Sequence, residues 1–320
     1  MTSSSLSALQ VVAGRQPELP DQFYNTDMIA VPGGGLLLMM EKYAENAQAH
    51  RQTRLVSYHA GAWSFVHDFK KVEFRKGCLT LLQDETVMVT SVDGEIATLS
   101  GNDVTPFVES DPITNKVFCI DGQVYALDGS GYIEKDNRFV WTRTAPDTWE
   151  TLFEGNCTAV TMTGTSKTDL YIAGEDADVR YFDGNDWAKV TLPWKEASFL
   201  KSAPTITTAL TSPSGDIYLA GRDCLFRGKG QDWRALDLAP HVRRSTKIDQ
   251  LAWFQDRLYF TLRKDEGEVF SIGEDGDVAP LVKDEKTTRA TNLTATETHL
   301  CTCGSMGEIN AFDGESWSVL

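Results

Sequence analysis

With 320 residues, 41% of them hydrophobic and 24% charged, the chain has material for a substantial core and no compositional mark of long disorder. Its longest apolar run, residues 36–40, is too short to span a bilayer, and residues 1–16 lack the basic start, apolar stretch and cleavage site of a secretory signal, so a cytoplasmic protein with no membrane partner is expected. Asp and Glu number 46 against 30 Lys and Arg, a formal charge of −16, which repels phosphate backbones and excludes nucleic acid as the natural partner while favouring a basic protein.

In chain order, residues 1–26 read as a polar arm in which Pro17 and Pro20 oppose regular structure, with LQVV at 9–12 able to add an edge strand. A single domain is expected over 27–320. It opens with DMIAV (27–31), LLLMM (36–40), a loop over 41–53, and RLVSYHAGAWSFV (54–66). Next come VMVTSVDGEIATLSGNDVTPF (87–107) and VYALDGSGYIEKDNRFVWT (124–142), then a loop over 143–156. TAVTMT (158–163) leads into LYIAGEDADVRYFDGNDWAKV (170–190), and TITTAL (205–210) into IYLAGRDCLFRGKGQDWRAL (217–236). IDQLAWF (248–254) precedes 258–281, and ATNLTA (290–295) precedes LCTCGSMGEINAFDGESWSVL (300–320).

These segments are copies of one unit: a short β-prone run, an apolar strand, an alternating strand, and an aromatic-led strand after a tight turn. The copies recur at roughly 40 to 50 residues, the period of propeller blades. Val, Ile, Thr, Tyr and Phe dominate the runs, Asp-Gly pairs supply turns, and no helical periodicity is sustained. Each unit has two apolar faces and must stack on its neighbours. The expected fold is therefore all-β, a seven-bladed β-propeller of four-stranded antiparallel blades, with blade 1 packing on blade 7.

YFDGNDW (181–187) and AFDGESW (311–317) fall between the third and fourth strands of their blades, and GKGQDW (228–233) and YHAGAW (58–63) are degenerate versions. The element resembles the Asp-box of sialidase-type propellers, without the leading Ser and with altered spacing between Asp and Gly. More broadly the repeats resemble those of WD40 and YVTN propellers, and the resemblance implies a fold but no activity. Physically, Asp183 and Asp313 accept turn hydrogen bonds, Gly184 and Gly314 permit positive φ, and Trp187 and Trp317 pack between blades. All six read as structural.

Catalytic motifs are missing: the sequence holds no G-x-S-x-G, no P-loop and no paired-histidine motif. Cys301 and Cys303 would share one strand face as buried residues, and no second pair exists to complete a zinc site. No metal and no cofactor is expected. Function then belongs to the long loops, where Trp149, Phe153, Trp194, Phe199 and His241 are candidate partner contacts. The preferred reading is a non-catalytic protein-binding propeller, such as a cytosolic immunity protein that neutralises a basic toxin. The alternative is a carbohydrate-active or lactonase-like enzyme with its site in the central channel.

Overall fold

The computed structural model describes residues 23–42, 52–69, 78–91, 95–101, 103–109, 114–128, 138–145, 148–194, 203–238, 246–263, 268–273, 276–281, 290–304 and 309–320. They form seven four-stranded antiparallel sheets, each with its strands in sequence order, arranged as a seven-bladed β-propeller. The one helical element among them is a single 3-10 turn at Glu175–Ala177.

Most blade boundaries follow the repeat, with two corrections. The first strand is Phe23–Val31, so it takes in four residues assigned to the arm; residues 1–22 lie outside the described residues. The segment 143–156 is not a loop. Arg138–Ala145 and Thr148–Gly155 are the third and fourth strands of blade 3, joined by a short connection, and they pair from Arg138↔Gly155 to Ala145↔Thr148. The sequence TWETLFEG hides this strand because both its faces are partly open to solvent, so no clean alternation of apolar and polar residues marks it.

Chain contacts group the residues into two compact units, 1–130 with 292–320, and 131–291. In the first unit the second strand of blade 1, Gly35–Lys42, shows why its sequence is apolar throughout. Leu37 and Met39 face blade 2, where they meet Val87, Val89 and Leu99. Leu36, Leu38 and Met40 face the other way, onto Cys301, Cys303, Ile309 and Ala311 of blade 7. Side chains alternate across a strand, so a strand buried on both faces needs a continuous apolar run. Blade 1 thus packs on blade 7 as the repeat requires, and Cys301 and Cys303 are buried in that interface outside any disulfide.

The second unit repeats the design. Ile217 and Leu219 of blade 5 pack with Tyr171, Ala173 and Val179 of blade 4, while Tyr218 and Ala220 pack with Leu258, Phe260 and Phe270 of blade 6. The second strands of blades 4 and 5 carry one pattern, DLYIAG (169–174) and DIYLAG (216–221). Its closing glycine is required by close approach: a Cβ on Gly174 would lie 1.8 Å from the Thr158 carbonyl oxygen, and one on Gly221 1.8 Å from that of Thr205.

Candidate partner-binding site

The first strands of neighbouring blades lie side by side and are joined by side-chain hydrogen bonds. In the first unit, Ala30 N donates to Thr294 Oγ1 at 3.2 Å, Leu79 N to Asp27 Oδ2 at 2.7 Å, and Thr80 Oγ1 to the Val117 carbonyl at 2.8 Å. In the second, Thr163 and Thr211 hydroxyls meet at 2.7 Å and Thr207 Oγ1 donates to the Ile248 carbonyl at 3.2 Å. The threonine-rich first strands are therefore fastenings between blades, each bond contributing about 0.5–1.5 kcal/mol.

Asp27 is the chemically distinctive member of this set. A β-bulge between Asn25 and Asp27 sets its direction, and its carboxylate also accepts from Met28 N at 2.9 Å. Burial pushes its carboxyl up to about 6, against the lowering effect of the two backbone donors and of Lys116. Cys78, whose Sγ lies 3.0 Å from Thr90 Oγ1, and Cys303 are both raised by burial and by the nearby Asp27 charge. A thiol held protonated in this way is a poor nucleophile. Glycoside hydrolysis by two carboxylates needs the pair about 5 to 9.5 Å apart. Among the described residues of the first unit's first strands Asp27 is the one carboxylate; one of its oxygens accepts from Leu79 of blade 2 and the other from Met28 of its own strand.

The Asp-Gly-x-x-Trp elements are closed turns. Asp183 Oδ1 accepts from Asn185 N at 2.8 Å and Asp186 N at 2.9 Å, and Asp313 Oδ1 accepts from Glu315 N and Ser316 N at 2.8 Å each. These donors hold both exposed carboxylates below the ordinary aspartate range. Gly184 and Gly314 adopt φ of 100° and 109°. Trp187 stacks on Phe182, with ring centroids 5.1 Å apart, and donates its indole N–H to the Leu152 carbonyl of blade 3 at 3.2 Å. Trp317 lies 5.2 Å from Phe312.

Of the five candidate contact residues, Trp149, Phe153 and Trp194 lie among the described residues. Trp149 is half-buried on the last strand of blade 3. Phe153, on the same strand, meets Trp187 edge to face at 5.3 Å and so belongs to a blade-to-blade contact. Phe199 and His241 lie outside the described residues. Trp194 is half-buried against the core shared by blades 4 and 5, and it also lines a groove of about 380 Å³ on the same two blades. Pro193, Pro204, Cys224 and Leu236 supply apolar walls, and Asp223 and Asp237 supply negative charge. Asp223 is fixed by reciprocal bonds with Thr246, its N–H donating to the Thr246 carbonyl and its Oδ1 accepting from Thr246 N, each at 2.9 Å. An indole beside an apolar hollow with carboxylates at hand is suited to grip a protein segment that is apolar in its middle and basic at its flanks.

The sequence signal for this groove was Trp194 alone. Beyond the adjacent Pro193, its partners come from about 10 to 43 residues downstream, and nothing in their spacing announces a shared wall.

No protein-family model and no curated protein matches the chain. Its fold is similar to that of solved structures. The β-propeller domain of Cps50 (Swd1) from Myceliophteria thermophila aligns with a TM-score of 0.65 at 10% identity, covering 91% of this chain and 98% of that one. A chain of the mitotic checkpoint complex aligns at 0.64 and 10% identity, covering 96% and 97%. Virginiamycin B lyase from Staphylococcus aureus aligns at 0.57 and 12% identity, covering 76% and 82%. At such identities the likeness shows the fold alone, and one of these propellers is a lyase while another is part of an assembly. The chain is a seven-bladed β-propeller, and its function has to be argued from its own surface.

Proposed function

We propose that the protein is a non-catalytic propeller scaffold that binds a basic protein partner in the cytoplasm, through the Trp194 groove of blades 4 and 5. The supporting observation is the groove itself: an apolar hollow walled by a half-buried tryptophan, with Asp223 and Asp237 lining it. The occupant is a partner segment with a large apolar side chain between Lys or Arg residues. Complementary charge argues for that choice, because the chain as a whole stands at −16. A fold neighbour in the mitotic checkpoint complex shows a propeller of this shape serving within a protein assembly. Within this class, the acidic propeller suits an immunity protein that caps a basic toxin.

Affinity capture from the native cell tests this reading, with the full chain and its Trp194→Ala variant as paired baits. The expected result is one basic protein retained by the first and lost from the second, with both baits melting at similar temperatures. Capture of an acidic partner, or equal capture by both baits, would overturn it. Co-expression of the captured partner then distinguishes the toxin reading: growth arrest relieved by the full chain supports it, and a partner harmless by itself rejects it.

A further inference from the structure

A second cavity in the unit 131–291 opens where blade 5 meets blade 6, distinct from the Trp194 groove. It measures about 460 Å³, within the range of small-ligand sites, and is lined by Tyr218, Arg227, Asp216, Ser214, Trp253 and Asp256 among others.

Comparison of the two equivalent tyrosines shows what is unusual here. Tyr171 and Tyr218 hold the same place in DLYIAG and DIYLAG. In blade 4, Tyr171 is fully buried, its hydroxyl accepts from Gly230 N at 2.7 Å, and Trp233 of blade 5 meets its ring at 5.7 Å. The position is thus closed by the next blade. In blade 5, Tyr218 is 4% exposed, yet among the described residues its hydroxyl makes no hydrogen bond, and the space that blade 5 fills beside Tyr171 is here a cavity. The Tyr218 oxygen is not an enclosed atom, so a partner can reach it from the cavity that Tyr218 lines. Burial and Asp216 raise the phenol further, so Tyr218 remains a hydrogen-bond donor at neutral pH.

The neighbouring charges restrict what could supply that partner. The strand residue paired with the tyrosine is Tyr181 in blade 4 and Arg227 in blade 5. The Arg227 guanidinium lies 5.7 Å from the centre of the Tyr218 ring, and its Nη2 meets Asp216 Oδ2 at 2.5 Å, with Ser214 Oγ donating to the same oxygen at 3.2 Å. Trp253 stands 6.0 Å from Tyr218, ring to ring. A purely anionic ligand would meet Arg227 but also Asp216 and Asp256. A purely cationic one would meet the guanidinium. A molecule bearing both charges and an apolar side chain answers all the groups at once.

We propose that this cavity binds a small zwitterion of the free aromatic amino-acid class. Its carboxylate sits on Arg227 and the Tyr218 hydroxyl, its ammonium faces Asp256 and Asp216, and its ring lies against Trp253. Charge-assisted bonds to the carboxylate and desolvation of the ring supply the affinity.

Calorimetric titration of the full chain with L-phenylalanine, phenethylamine and 3-phenylpropionate tests the assignment. The expected result is one-to-one binding of L-phenylalanine, with each half-charged analogue at least about tenfold weaker, the scale of one charged hydrogen bond. Tyr218→Phe removes the hydroxyl without changing shape; it is expected to weaken L-phenylalanine about tenfold while leaving the melting temperature unchanged. Absence of binding at about 10 mM, a concentration that would reveal even a millimolar site, overturns the proposal. So does equal binding of either analogue, or unaltered binding by Tyr218→Phe.

Discussion

Asp27 is a part-buried carboxyl that desolvation pushes up from 3.8 to about 6 in the folded chain. The sign of its effect follows from linkage. Between those values the folded state holds the proton more tightly than the unfolded state, so this group makes folding less favourable as pH rises from about 4 to 6. At 1.36 kcal/mol per pH unit the effect is on the order of 2–3 kcal/mol. Asp183 and Asp313 act oppositely: their lowered values stabilise the fold above the ordinary aspartate range, and that contribution is lost as pH falls through their folded values. Urea unfolding between pH 4 and 7 separates the terms. The Asp27→Asn variant is expected to lose the component that declines from pH 4 to 6, and an unchanged pH profile would reject the desolvated environment assigned to Asp27. A second residue-scale test is Gly221→Ala. Its Cβ would meet backbone rather than a movable side chain, so a loss of about 1–3 kcal/mol is expected in the same unfolding assay.

At the scale of the element, the repeat was legible wherever a strand is buried on both faces or a hairpin uses a tight turn. DLYIAG and DIYLAG declare themselves as central strands, and Asp-Gly-x-x-Trp marks the third hairpin of blades 4 and 7. What escaped was the last strand of blade 3, because an outer strand has no core to impose a pattern on TWETLFEG. Contacts across distance escaped as well. Asp27 reaches Leu79 over 52 positions, and the bulge that directs it leaves no mark in composition. Trp187 and Trp149 make the contrast testable. Trp187 joins blade 4 to blade 3 through Phe153 and the Leu152 carbonyl and stacks on Phe182 of its own blade, so Trp187→Ala is expected to cost about 2–3 kcal/mol and lower the melting temperature. Trp149, half-exposed on the outer strand, is expected to cost under about 1 kcal/mol when changed to Ala. Equal losses would show that the outer strand is as deeply engaged as the hairpin.

For the whole molecule, the propeller provides a frame of seven blades, and the net charge of −16 underlies the proposed bias toward a basic partner. The Trp194 groove gives that bias a place. Its tryptophan was visible in the sequence as an aromatic in a long connection, while its walls at 204 and 223–237 required the fold. The account rests most heavily on long-range charge together with a central apolar contact, and these respond differently to salt. Surface charges are screened over about 10 Å at 0.1 M salt and over shorter distances above it, whereas burial of an apolar side chain is not. The decisive measurement is the affinity of the captured partner for the full chain and for Trp194→Ala, each at about 0.05 M and 0.3 M salt. The account predicts at least about a tenfold loss with salt for both, and a further loss of similar size from Trp194→Ala at either concentration. Affinity indifferent to salt and to Trp194 would contradict it.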